Sequence, residues 1–482
     1  MTGGVDSARV DAPDRRAGTL PWLRTAGSTL VDEAGVEVRL RGVGIGGWLN
    51  MENFITGYPA TESLHRRALR DRLGRERYER LLGSLLDNFF ADADAAFVAS
   101  LGFNAVRIPL NYHHLEDDMR PGELLPGCFE RLDRAVASCA RHGVYSVIDL
   151  HALPGGQNYH WHSDNRFHAP LLFDHRDFQD RTVALWRSIA EHFRHEPAVA
   201  GYNLINEPAD PEGRRLVALH DRLVREIRDV DPRHTVFLDG NHYAQEFGDF
   251  GEPAENAVYA LHQYPVPGSA RGGDYPGVSG GVRYDREAVE RQFLERTTYM
   301  REHDVPAWVG EFGPVYSRDP RVDAMRHRLL ADQIEIYEAA GAGWSLWTYK
   351  DIGVQGLVSA RPDSPWMART ASVRAKKERL GADSWGMTGS GVADLVAPIV
   401  ARMAQEMPGL DPYPFGLQGH VELLVRNILF AEPLAVEFAD ALAEVDDDEL
   451  DALGASFALD ACGRDDELCE IVARRDESGP RR

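Results

Sequence analysis

Along most of the chain, short apolar runs rich in branched and aromatic residues alternate with longer stretches in which apolar positions recur every three to four residues. The runs fall at 41–45, 105–109, 144–150, 200–205, 236–239, 258–262, 307–310 and 344–347. Stretches with helical spacing at 91–101, 129–142, 178–194, 212–230, 285–303 and 322–340 separate most of them. A near-continuous apolar strand is one buried on both faces, as in a parallel sheet covered by helices. Eight such units predict the α/β class and, within it, a closed (β/α)8 TIM barrel rather than an open doubly wound sheet. No GxGxxG follows the first run, which removes the main sequence argument for a dinucleotide fold. A short hairpin is expected ahead of the barrel, with arms at 29–32 and 36–40 and a turn at Gly35.

Two stretches exceed a minimal barrel. Residues 64–88 are charged and helical and fall between the first strand and its helix. The chain from about 395 to 482 is also helical and ends acidic, around Glu444-Val445-Asp446-Asp447-Asp448-Glu449. A run of like charge is most simply a solvated face, with a docking tail as the sharper reading. The predicted organisation is a disordered segment at 1–20, a catalytic barrel at 21–394 and a helical extension at 395–482. No Pro- or Gly-rich linker marks the extension as independent.

Composition narrows the partners. The 482 residues carry 53 Lys+Arg against 76 Asp+Glu, a formal charge of −23. Such a chain repels phosphate backbones and anionic membranes, so no nucleic acid and no membrane partner is expected. Neither a signal peptide nor an apolar run long enough to span a bilayer is visible, which predicts a cytoplasmic protein. Cys128, Cys139, Cys462 and Cys469 form no CxxC pair and read as free thiols, with a Cys462–Cys469 bridge as the minority reading.

The chemistry is expected where the strands end, because the βα loops of a barrel converge on the C-terminal face. The residues there are Trp48, Arg107, Asn111, His151, Asn206, Glu207, His262, Tyr264, Glu311 and Trp347. Two apolar strands stop at a carboxylate, Glu207 on the fourth and Glu311 on the seventh. Burying an unpaired carboxylate costs several kcal/mol, so each placement needs a partner or a purpose. Strands four and seven face each other across the barrel, so both groups can project over its mouth. Singly, either could be a structural carboxylate bracing a loop.

Asn206-Glu207-Pro208, His262-Gln263-Tyr264, Glu311-Phe312-Gly313 and Trp347 occur in the order and spacing of glycoside hydrolase family 5. So do the segments 41–48, ending Gly46-Gly47-Trp48, and 102–109, containing Arg107. Over residues 20–350 the chain resembles that family, and the Gly46-Gly47-Trp48 segment resembles its exo-acting branch. The resemblance implies a retaining exo-β-glycosidase acting on short β-linked oligosaccharides, a β-mannoside or β-glucoside, without cofactor. An exo-β-1,3-glucanase, an endo-β-glucanase or a non-catalytic sugar-binding barrel are the alternatives. It implies Glu311 as nucleophile and Glu207 as acid/base. Asn206 would donate to the sugar 2-hydroxyl, Arg107 and Tyr264 would hold Glu311 ionised, His151 and His262 would bind hydroxyls or support the carboxylates, and Trp347 would be the sugar platform.

Specificity is expected in the loops. The loop after the third strand carries Gln157, Asn158, His160 and Trp161, which offer hydrogen bonds and a stacking surface. His160-x-His162, with His168 and His175 nearby, also invites a metal reading, but no HExxH or Asp-rich cluster supports it and no metal is expected. The insertion, this loop and the loop at 351–367 are together expected to close one end of the cleft. Trp161, Trp366 and Tyr349 are candidate walls, and His160 and Gln157 candidate contacts to sugar hydroxyls.

Overall fold

The computed structural model of the chain describes residues 20–270, 272–383, 385 and 391–473. The segment expected to be disordered, 1–20, lies outside the described residues except for Leu20. Eight parallel strands close into a barrel: β1 (Arg41–Gly44), β2 (Ala105–Asn111), β3 (Tyr145–Ala152), β4 (Val199–Asn203), β5 (Thr235–Asp239), β6 (Ala257–Gln263), β7 (Ala307–Phe312) and β8 (Gly343–Leu346). Each pairs with its neighbours in chain order, and β8 returns to β1. The eight apolar runs of the sequence are these eight strands.

The insertion is helical over α1 (Glu62–Phe89), which is broken by a kink at the non-helical Gly74. The outer ring then follows as α2 (Asp92–Ser100), α3 (Glu130–Arg141), α4 (Arg176–Phe193), α5 (Arg214–Val230), α6 (Arg286–Arg296), α7 (Pro320–Ala339) and α8 (Pro365–Leu380). Only the fifth unit departs from the pattern. Between β5 and β6 the chain makes a single turn, in which His242, Tyr243 and Ala244 all take left-handed backbone angles.

Side chains alternate across each strand, so the barrel interior is layered. Its lower layer is apolar and includes Val147, Phe237, Ala260 and Trp308. Leu23 and Leu30 pack beneath it from an antiparallel hairpin, Leu23–Ala26 with Thr29–Asp32. The hairpin predicted at the start is therefore shifted. Thr29–Asp32 is its second arm, and the segment expected as its partner adds only a bridge between Val31 and Glu37. Two residues further up the strands the interior turns polar, with Arg107, Asp149, Asn203 and Asp239 all fully buried.

The extension is helical, as expected, and packs back on the insertion. Helices α9 (Ala393–Glu406) and α10 (Gly416–Leu424) are followed by α11 (Ala431–Ala443) and α12 (Asp447–Ala455). The last two lie against α1, burying Leu434, Phe438, Leu442, Leu450 and Leu453 in the same apolar cluster as Leu69, Leu73, Leu81 and Leu85. Around this seam the acidic residues meet arginines of α1: Arg72 with Asp440, Arg77 with Asp447, Arg80 with Asp451. The acidic run is thus partly an intramolecular docking edge rather than wholly solvated. These pairs are exposed and worth little each; the apolar seam and Lys350 hold the extension. Lys350, fully buried, donates to Asp94 at 2.7 Å and to the Phe457 carbonyl at 2.7 Å, joining barrel, α2 and extension at one ammonium.

Candidate active site

β7 delivers Glu311 directly from its last turn of pleat, and Gly310 before it leaves room for a neighbour: a Cβ there would meet His262 Nε2 at 3.0 Å. Glu207 comes instead from the loop beyond β4 and sits at φ +46°, a left-handed conformation that costs a non-glycine residue about 1–2 kcal/mol. Both of its backbone groups are pinned. Its N–H donates to Asp239 Oδ2 at 3.0 Å, and the Asn158 amide donates to its carbonyl at 3.0 Å. Local strain of this kind persists only where the surroundings fix it, and here it aims the carboxyl across the barrel mouth. A carboxylate oxygen of Glu207, one of Glu311 and a ring nitrogen of His262 lie within 4.8 Å of one another.

The two carboxyls stand in different surroundings. Arg107 donates to Glu311 Oε1, and Tyr264 Oη donates to its Oε2 at 2.9 Å. Glu207 is held by imidazoles: His262 Nδ1 lies 2.6 Å from Oε1 and His162 Nε2 3.2 Å from Oε2. Burial holds both imidazoles well below the usual histidine pKa, so they are neutral and bring no positive charge to Glu207. Burial, then the charges of Glu311, Asp239 and Glu52, push the Glu207 carboxyl well above the ordinary glutamate value. Burial also raises Glu311, but Arg107 and the Tyr264 hydroxyl oppose that shift. The proton therefore belongs on Glu207 and the charge on Glu311.

Arg107 serves more than Glu311. It lies 3.1 Å from Asp149 Oδ2 and donates to Asn203 at 3.0 Å and to Asn206 Oδ1 at 2.6 Å. Asp149, Asp239, Glu207 and Glu311 crowd around this one guanidinium, with Glu52 close to Glu311. Burial in that crowd lifts Asp149 and Asp239 to about 7 and raises Glu52 as well. A layer with more carboxyls than cations must retain protons near neutral pH.

A cavity of about 240 Å³ opens above the pair. Glu52, His151, Trp347 and Trp385 line one side, and Trp161, His162, His242, Tyr243, Gln245, Arg296 and Phe415 line the rest. Trp347 lies parallel to His151 at 5.5 Å. The ring can lie there because β1 and its exit are glycines: a Cβ at Gly44 or Gly46 would approach it to 2.6 or 2.5 Å. Phe415 comes from the extension and meets His160 and Tyr243 edge-on or tilted at 5.1 and 5.4 Å. Trp385 stands edge-on to Tyr264 at 4.9 Å and donates to Gln355 at 2.6 Å.

Of the residues singled out in the sequence, His151, His160, Trp161, Glu207, His262, Tyr264, Glu311 and Trp347 line this cavity. Three others lie behind it. Arg107 and Asn206 are fully buried, as is Gln157, whose amide bridges the carbonyls of His151 and Asn206 at 2.7 and 2.9 Å. Gln157 thus shapes the loop instead of meeting a hydroxyl. Trp48 is a clear departure: its indole donates to the Leu86 carbonyl at 2.7 Å and the ring packs on Phe90, fastening α1 to the barrel. The walls expected of Trp366 and Tyr349 are also absent. Trp366 donates to Thr56 and packs on Phe438 and Phe457, and Tyr349 donates to Asp94.

Glu52, His162, Tyr243, Gln245, Arg296, Trp385 and Phe415 were not among the expected contacts. Glu52 lies well beyond the end of β1 at Gly44, so the strand-end rule does not mark it. The last two are far along the chain in segments without strand periodicity. Among the described residues, the group with metal-ligand geometry is Glu207, His262 and Glu311, not the His160-x-His162 pair. Its atoms already face Arg107, Tyr264 and His162, and the adjacent guanidinium opposes a dication.

The model for cellulase, glycosyl hydrolase family 5, matches residues 86–353. A β-xylosidase of Phanerodontia chrysosporium is 43% identical over 468 residues, 94% of this chain and 98% of its own length. A probable glucan 1,3-beta-glucosidase A of Aspergillus fumigatus is 26% identical over 355 residues, 66% of this chain and 84% of that protein. A solved endogalactoceramidase superposes with a TM-score of 0.52 at 18% identity, covering 73% of this chain and 77% of its own, a likeness of fold alone. With the model matching more than half of the chain and so similar a relative along nearly all of it, the chain belongs to glycosyl hydrolase family 5 and is a glycoside hydrolase acting on O-glycosyl bonds.

Proposed function

We propose that the protein is a retaining exo-β-glycosidase that removes one terminal β-xylosyl or β-glucosyl residue from a short glycoside. The observation that carries this reading is the pair Glu207 and Glu311, whose nearest atoms lie within 4.8 Å. That approach suits the roughly 5–5.5 Å separation of retaining enzymes better than the 6.5–9.5 Å that admits an inverting water.

In the first step Glu311 attacks the anomeric carbon, the glycosidic C–O bond breaks, and the Glu207 proton passes to the departing oxygen. The resulting ester neutralises Glu311, which removes the largest of the charges that raise Glu207. Glu207 then takes a proton from water as the water oxygen displaces Glu311 from the anomeric carbon. Glu52 and His151 face the sugar beside the Trp347 ring, which offers a face for its C–H bonds.

Exo attack is supported by the size of the cavity and by Phe415, Trp161 and Trp385, which wall it from three segments. The xylosyl preference draws on the β-xylosidase relative and the glucosyl alternative on the glucan 1,3-beta-glucosidase. A panel of nitrophenyl β-xyloside, β-glucoside and β-mannoside tests the sugar. Glu311→Gly with azide tests the mechanism, with an α-glycosyl azide expected. Full activity of Glu311→Gly without azide would defeat the nucleophile assignment.

A further inference from the structure

The cavity has two chemically unlike sides. The proton donor must face the departing oxygen, so the wall next to Glu207 is where the leaving group lies. That wall is built from the turn after β5 and from α6. It includes Tyr243, Gln245 and Arg296 and, from the extension, Phe415. The β5 turn is fixed there: Tyr243 N–H donates to the Pro208 carbonyl at 3.0 Å, and Tyr159 N–H donates to Tyr243 Oη at 3.3 Å.

Arg296 is the unexplained member. Its guanidinium donates to the His262 carbonyl at 2.9 Å and to Gln245 Oε1 at 2.6 Å, and it pairs with no carboxylate among the described residues. Those bonds use two of five N–H groups. Elsewhere at the mouth the cation is neutralised, Arg107 by Asp149 and Glu311. Burial lowers the pKa of Arg296, as expected for a desolvated cation without a counter-ion, yet a guanidinium stays charged. A partly buried charge of this kind is costly unless a partner arrives. Trp161 lines the same cavity, and its indole N–H is buried without a hydrogen-bond partner among the described residues. Phe415 and Tyr243 supply flat apolar surface beside these donors.

We propose that Arg296 reads a carboxylate on the leaving group, so that the enzyme favours β-glycosides whose aglycone is acidic and has an apolar face. This rests on the retaining glycosidase reading and adds a substrate class to it. Two sources share that chemistry, an aromatic acid glycosylated through its phenol and a uronic acid bearing the glycosyl group.

The test compares kcat/KM for 4-carboxyphenyl β-xyloside and its methyl ester with the full-length enzyme above pH 6. The ester is intrinsically the better leaving group, so a preference for the acid reports binding. A charge-assisted bidentate contact should favour the acid by about tenfold or more. Arg296→Gln should collapse that ratio and Arg296→Lys should keep part of it. A second pair, xylose linked to glucuronic acid against xylose linked to glucose, shows whether sugar or aromatic acid gains more; a larger ratio in either supports the inference. Wild-type turnover of the ester with no preference for either acid overturns it while leaving the glycosidase reading intact. Equal loss on acid and ester in Arg296→Gln overturns it too, because Arg296 then only braces the wall. No turnover of any of the four overturns both.

Discussion

Tyr264→Phe isolates one interaction of Glu311, the proposed nucleophile. The change deletes a single oxygen, whose hydroxyl donates to Glu311 Oε2 at 2.9 Å, and keeps the ring that stands 4.9 Å from Trp385. The fold should be unaffected. A hydrogen bond to a charged group is worth about 1.5–3 kcal/mol, and 1.36 kcal/mol corresponds to one pKa unit. The bond favours ionised Glu311, so its loss raises that pKa by about 1–2 units. The proposed mechanism needs Glu311 ionised and Glu207 protonated. The acid limb of the kcat/KM profile should therefore move up by about 1–2 pH units, while the alkaline limb, set by Glu207, stays within a few tenths. At the optimum kcat/KM should fall about 10- to 100-fold, because the narrowed window leaves less enzyme in the active form and the carboxylate is less well oriented. The assay is a full pH profile on nitrophenyl β-xyloside, with a thermal melt as a control for folding. A folded variant with reduced rate and an unmoved acid limb would refute the reasoning, since Tyr264 would then act elsewhere than on the Glu311 charge.

Glu207→Gln should be more stable than wild type at pH 7, by at least about 1 kcal/mol. The native carboxyl is raised, so the unfolded chain ionises it first and its contribution is lost as pH climbs through the folded pKa. The gain should vanish near pH 4 in denaturant titrations, and a gain of equal size at both values would contradict it. Lys350→Met should cost about 3–5 kcal/mol, because it strands Asp94 and the Phe457 carbonyl without their buried ammonium; a loss under about 1 kcal/mol in urea titration would show that the extension is held otherwise. Phe415→Ala should raise KM several-fold with little change in kcat, since the residue lines the cavity and touches neither glutamate. On a β-linked hexasaccharide the wild type should release monosaccharide from the first time point, and early di- to tetrasaccharides would show an open cleft.

The barrel and both glutamates were legible in the sequence because each rests on local pattern. An apolar strand that ends on a carboxylate marks itself, and eight strands separated by helical spacing leave few closed arrangements. His151, His262, Tyr264 and Trp347 were legible for the same reason, as polar or aromatic residues at strand ends. Trp48 shows the limit of that rule. It leaves its strand near the mouth, but α1 passes close enough for its indole to reach the Leu86 carbonyl, and strand-end position alone does not say which way a ring turns. Asn206 and Gln157 fall just behind the surface for a related reason: their amides were needed to join Arg107, His151 and the loop carbonyls. Phe415, Trp385 and Arg296 depended wholly on tertiary structure. Nothing in the periodicity around them points to a site: Phe415 reaches it by packing on His160 and Tyr243, Trp385 by packing on Tyr264, and Arg296 because α6 ends beside β6. Sequence fixes which residues must be buried and where strands must stop; which distant side chains then share a wall follows only from how those buried faces pack.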